Sequence, residues 1–98
     1  MVQKIYLLGG IMRIDLLMNK LCLVKTRSIA KKACDNNAIR VNGKPAKASL
    51  EIKTGDLIEY DLFGYQTEIK IINLPEGNVS KKDAPEYYEI LKRNKVVE

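Results

Sequence analysis

Apolar residues at Ile14, Leu17, Met18 and Leu21 fall at i, i+3, i+4 and i+7, which predicts an amphipathic helix over about residues 14–22. Leu23-Val24 joins it to a second predicted helix, with Thr26 as N-cap and Ile29, Ala30, Ala33 and Cys34 as the inner face. The small alanines let two short helices approach closely. Asn37 is expected to stop the second helix in the left-handed conformation. The pattern then changes period. Ile39-Arg40-Val41 alternates as a strand, and Asn42-Gly43 is a strong hairpin signal before Lys44-Pro45-Ala46 leads away. Lys53-Thr54-Gly55-Asp56 reads as a turn into a strand over Leu57-Ile58-Glu59-Tyr60, and Phe63-Gly64-Tyr65 as a turn into another over Thr67 to Ile72. In the tail, Asp83-Ala84-Pro85-Glu86 has the layout of a capping box, so a helix over 84–94 carrying Tyr87, Tyr88 and Leu91 is expected. The fold class is α+β: a helix pair packed on a small antiparallel sheet, plus a C-terminal helix.

Ninety-eight residues, 46% of them hydrophobic and 30% charged, allow one domain with one modest core and little volume for a deep catalytic pocket. The run Ile5-Tyr6-Leu7-Leu8 is far shorter than the roughly 20 apolar residues of a spanning helix. It also lacks the charged-then-apolar layout of a secretion signal, so a cytoplasmic protein without membrane attachment is expected. Cys22 and Cys34 fall among apolar residues at expected helix positions and read as buried, reduced thiols. With no His in the chain, two thiols do not make a metal site.

Charge changes the picture more. The chain carries a net +5, but from Lys20 to Lys47 there are eight basic residues against one acid, Asp35. From Leu57 to Glu98, six basic residues face eight acidic ones. Such an asymmetry points to a directional field and a polyanionic partner. On the second helix Arg27 and Lys31 are i, i+4 neighbours, with Lys32 at the edge of their face. Arg40 alternates away from Ile39 and Val41, and Lys44 follows the tight turn with its head group free. Without acids nearby in sequence, these groups gain most by meeting phosphates, each of which releases counterions on neutralisation.

Four ordered segments, Met12-Arg13-Ile14-Asp15, Lys25-Thr26-Arg27-Ser28-Ile29-Ala30, Ile39-Arg40-Val41-Asn42-Gly43-Lys44 and Lys53-Thr54-Gly55-Asp56-Leu57-Ile58, resemble the S-four (αL) RNA-binding domain. The remainder, with Tyr88-Glu89-Ile90-Leu91-Lys92, is similar to the tail of stand-alone bacterial members, which include ribosome quality control and heat-shock proteins. The resemblance implies binding to ribosomal RNA on the large subunit, and to peptidyl-tRNA, when a stalled nascent chain is rescued beside a larger quality control factor. No cofactor is expected, and a monomer is expected off the ribosome. The expected RNA-binding residues are Arg13, Lys25, Arg27, Lys31, Lys32, Arg40, Lys44 and Lys47, while Asp15 matches a family acid expected to order the first helix or hold a nearby Arg. The chain departs from stand-alone members at Leu16 and Cys22, where those carry basic residues, and at Asn37-Ala38, where they carry Gly and a basic residue. Those members begin at the equivalent of Met12, so residues 1–11 are expected to be an extension or a misassigned start, 12–75 the RNA-binding domain, and 76–98 a linker and helix.

Three rival functions compete. An enzyme would need a separate catalytic domain, and this chain has no His, metal-ligand cluster or Gly-rich phosphate loop. A DNA-binding helix-turn-helix would need base-reading side chains, whereas Arg27, Ser28, Lys31 and Lys32 suit phosphates and RNA shape. A protein-interaction module would use Tyr87, Tyr88 and an exposed strand edge, although tyrosines at helical spacing are more often packing residues.

Overall fold

A computed structural model describes residues 10–96. Residues 1–9, most of the expected extension, lie outside the described residues. In chain order the elements are β1 (Met12–Arg13), α1 (Ile14–Lys20), α2 (Arg27–Asp35), β2 (Ile39–Val41), β3 (Lys44–Pro45), β4 (Glu51–Ile52), β5 (Leu57–Leu62) and β6 (Tyr65–Ile71), then a 3-10 turn (Ala84–Tyr87) and β7 (Tyr88–Lys95). Strands β3-β2-β5-β6-β7 form one antiparallel sheet in that order, and β1 pairs with β4 in a separate two-stranded ribbon.

The helix pair forms as its periodicity predicts. Ile14, Leu17 and Met18 of the first helix, with Leu21 at its C-cap, are buried against Ala30, Ala33 and Cys34 of the second. Helix α1 has no side-chain cap at Arg13; instead the carbonyls of Leu50 and Ala48, just before β4, accept from the N–H groups of Ile14 and Asp15 at 2.8 and 3.2 Å. Two of the orphan donors of its first turn are therefore satisfied by the segment that leads into β4. Thr26 caps α2 as expected, its Oγ1 accepting from the Ile29 N–H at 3.2 Å.

Both helices end the same way. After α2, Asn37 sits at φ 60° while the Ala38 N–H reaches the Ala33 carbonyl at 2.8 Å and the Asn37 N–H that of Cys34 at 3.0 Å. After α1, Cys22 takes the same φ of 60°, with Leu23 N–H on Met18 O at 2.9 Å and Cys22 N–H on Asn19 O at 3.0 Å. This paired bonding closes a helix through a left-handed residue, a place suited to Gly or Asn. The expectation of two buried thiols on helices is thus corrected. Cys34 is buried on α2, but Cys22 lies past the end of α1 with its side chain exposed, and both are free thiols.

The sheet completes the core with Ile39, Val41, Ile58, Ile69 and Ile71, which meet across strands in the pairs Val41–Ile58 and Ile58–Ile69. The expected C-terminal helix is also corrected. The Pro-Glu turn forms only a 3-10 turn over Ala84–Tyr87, after which Tyr88–Lys95 runs as the edge strand beside β6. An isolated helix of that length would be marginal in water, whereas the edge of β6 offers a ladder of hydrogen bonds. Opposite charges also face each other at Lys70–Glu89 and Glu68–Lys92. Between those pairs the register slips, so that Ile69 faces Ile90 while Glu68 faces Lys92, leaving Leu91 as an extra residue. That bulge breaks the two-residue alternation and hides the strand from a periodicity reading.

Candidate functional site

The basic groups do not all stand free. Asp15, in the first turn of α1, is buried, and its carboxylate accepts from Arg13 Nε at 3.1 Å and Nη2 at 2.9 Å, from the Leu16 N–H at 2.7 Å, and from Arg27 Nη2 at 3.4 Å. Burial pushes this carboxyl up, but the Arg13 hydrogen bonds, the Leu16 N–H and the charge of Arg27 outweigh it and hold the group below its ordinary value of 3.8. The two guanidiniums keep 47% of their side-chain surface exposed against 4% for Asp15. One anchored anion thus positions two cations and leaves a surplus positive charge at the surface. Asp15 has the structural role expected of it.

The backbone around this centre is fixed by short-range bonds. The Asn19 side-chain amide donates to the carbonyls of Lys25 at 3.1 Å and Val24 at 3.5 Å, closing the loop between the helices. That clamp and the Thr26 cap set the positions of Lys25, exposed in the loop, and Arg27, the first residue of α2. Lys31 follows one turn later and Lys32 beside it, both exposed. Lys44 is exposed on β3 directly after the Asn42-Gly43 turn, in which both residues have positive φ (52° and 86°). Lys47 is exposed in the turn whose Lys47 carbonyl accepts from the Leu50 N–H at 2.9 Å.

Arg40 differs. Its Nε donates to Glu59 at 3.1 Å, its Nη2 to both Asp61 oxygens at 3.2 Å and its Nη1 to the Asn37 carbonyl at 3.2 Å. Only 23% of its side chain is exposed, and the Glu59 hydrogen bond, against a smaller effect of burial and helped by Asp61, raises its pKa further. Acids distant in sequence therefore neutralise a residue that has none nearby in the chain. Lys20, inside the basic run, is also tied down, its Nζ donating to the Gly77 carbonyl at 3.3 Å.

Two of the sequence segments prove to be one structural unit. The Asn42 side chain accepts from the Leu57 N–H at 3.0 Å and donates to the buried Asp56 carboxylate at 3.2 Å, which also accepts from the backbone N–H and Nζ of Lys53 at 3.0 and 3.1 Å. Burial raises the Asp56 pKa, but these donors outweigh it and the group is held low. Lys53 borders the same hollow as Lys44, of about 490 Å³, and was not among the expected contacts. Its sequence neighbours Thr54 and Gly55 mark a turn but say nothing about a basic side chain shared with β3.

The S4 domain family matches residues 12–58. The RQC P-site tRNA stabilizing factor of Bacillus subtilis (strain 168) is 34% identical over 87 residues, covering 89% of this chain and 100% of that protein. The protein of the same name from Helicobacter pylori (strain J99) is 39% identical over 77 residues, covering 78% of this chain and 92% of its own. Among solved structures, the trimeric structure of Vibrio cholerae Heat Shock Protein 15 superposes with a TM-score of 0.77 over 82% of this chain and 81% of its own, at 22% identity, and so shares the fold.

Proposed function

The chain belongs to the S4 domain family, and from that premise we propose that it binds ribosomal RNA of the large subunit, together with peptidyl-tRNA, during rescue of stalled nascent chains. The observation that carries this reading is the Arg13–Asp15–Arg27 centre. It holds two half-exposed guanidiniums in fixed geometry beside the exposed Lys25, Lys31 and Lys32. Guanidiniums present planar, forked donors that suit phosphate oxygens, and a rigid mount reduces the entropy lost when they engage. The names of relatives matched over most of their length support the quality control role. In this reading the protein acts by binding, in the cytoplasm, beside a larger factor.

The proposed contact set is Arg13, Lys25, Arg27, Lys31, Lys32, Lys44 and Lys47. Arg40, its Nε and Nη2 donors engaged by Glu59 and Asp61, is assigned to holding β2 against β5. RNA is favoured over DNA because phosphate- and shape-seeking side chains line α2 where a DNA reader would present base-reading amides. Sedimentation of the native protein on a sucrose gradient tests the reading. It is expected to travel with the large subunit at low salt and to leave it as salt rises. Migration with the small subunit, or free at every salt concentration, would refute it.

A further inference from the structure

Phe63 is the chain's one phenylalanine, and it is not in the core. It stands in the two-residue turn between β5 and β6 at φ 55°, with 70% of its surface exposed. A bulky residue in the left-handed region is strained, and an apolar ring in water gains nothing from folding. Beside it, against the loop that joins the two helices, runs a groove of about 370 Å³ lined by Phe63, Leu23, Cys22, Asn19, Lys25 and Lys81. That volume lies within the range of roughly 300–1,000 Å³ typical of small-ligand sites. Two lysines and no carboxylate border it among the described residues. A second hollow of about 200 Å³ shares Phe63 and continues across Tyr60, Tyr65 and Tyr88 to Arg93, whose guanidinium lies 4.4 Å from the centre of the Tyr65 ring. Lys25 belongs both to this groove and to the basic surface that starts at Arg13 and Arg27.

We propose that the Phe63 groove holds an unpaired nucleotide of the bound RNA, its base stacked on the Phe63 ring and its phosphates met by Lys25 and Lys81. The inference rests on the RNA-binding reading above and adds a preference to it. Within a duplex, base faces are covered by their neighbours, so a ring offered on a turn stacks most readily on a base that is already unstacked. The lysine rim matches the charge of a nucleic-acid backbone rather than that of an apolar peptide. Duplex contacts would then run through the arginines, and single-stranded contacts through Phe63.

Binding of two RNAs to the full chain tests this: a blunt duplex, and the same duplex extended by a short unpaired overhang. The wild-type protein is expected to prefer the extended RNA. Phe63→Ala is expected to lose roughly ten- to a hundredfold in affinity for it while keeping its affinity for the blunt duplex. Phe63→Leu, which keeps apolar bulk without an aromatic face, should behave like alanine, and Phe63→Tyr like wild type. The extended RNA, and not the blunt one, should slow alkylation of the exposed Cys22 in the groove, with the buried Cys34 as internal control. A wild-type protein without the preference, an alanine variant that retains it, or equal loss for both RNAs would overturn the inference and leave the RNA-binding reading intact. Failure of the wild type to bind either RNA would instead overturn that reading.

Discussion

Two clusters in this molecule use arginine and carboxylate in opposite proportions. At Asp15 one buried acid holds two arginines, each half exposed. At Arg40 two acids, Glu59 and Asp61, hold one arginine that is mostly covered. The first cluster carries a surplus positive charge, the second a surplus negative one. In both the arginines are ordered, yet those of the first stay half exposed with most of their donors open to a ligand, whereas the one in the second is mostly covered with most of its donors engaged. The difference lies in which partner is buried. An acid in the interior must be compensated by cations reaching in from the rim, whereas a cation lying flat on a sheet is compensated by acids opposite it. A count of basic residues treats the two alike; pairing stoichiometry separates them.

The largest effect should come from emptying the first cluster. Arg13→Ala with Arg27→Ala is expected to weaken binding to ribosomal RNA by about 3 kcal/mol, on the order of a hundredfold, and to flatten the dependence of log K on log salt by about two contacts. Ribosome co-sedimentation unchanged in that variant would erase the distinction between the clusters. Asp15→Asn should instead lower stability, by about 1–3 kcal/mol in urea unfolding at neutral pH, through loss of charge-assisted hydrogen bonds. Its sign with pH is fixed by the depressed carboxyl. The stabilisation is present above the ordinary value of 3.8 and is lost as pH falls through the lower folded value. The wild-type protein should therefore lose stability on acidification below about pH 4 more steeply than the variant does. The smallest effect belongs to the second cluster. Arg40→Ala should cost less than about 1 kcal/mol in stability, since both acids are partly open to water, and should leave RNA affinity within about twofold. A large loss of RNA affinity there, measured under the same salt, would show that Arg40 leaves its acids to meet phosphate.

Local rules made much of this legible in advance. The stripe from Ile14 to Leu21, the Thr26 cap, the Asn37 stop and the Asn42-Gly43 turn each depend on residues within a few positions of one another, and each forms as expected. What escaped depends on distant partners. Arg40 lies 19 and 21 residues before the acids that bind it. The alternation along β5 does put Glu59 and Asp61 on one face, which was the available signal, but only the register with β2 brings them opposite Arg40. The tail reads as a helix in sequence because Asp83-Ala84-Pro85-Glu86 has a capping-box layout and the extra residue Leu91 falls at helical spacing from Tyr87 and Tyr88. Asp83 instead makes no side-chain cap hydrogen bond, and the chain pairs with β6. Cys22 was misread because helix α1 ends at a residue with none of the usual stop chemistry, its left-handed turn held instead by the backbone bonds to Met18 and Asn19.

The bulge in β7 has a further effect, on solubility. An eight-residue strand at a sheet margin offers unpaired amides and carbonyls to any other extended chain, the usual starting point for runaway sheet growth. Here the extra residue interrupts the register, and Glu89, Lys92, Arg93 and Lys95 flank the exposed Ile90 and Leu91 with charge that an incoming strand would have to desolvate. The irregularity that disguises the strand in the sequence is thus also of the kind that disfavours edge-to-edge pairing.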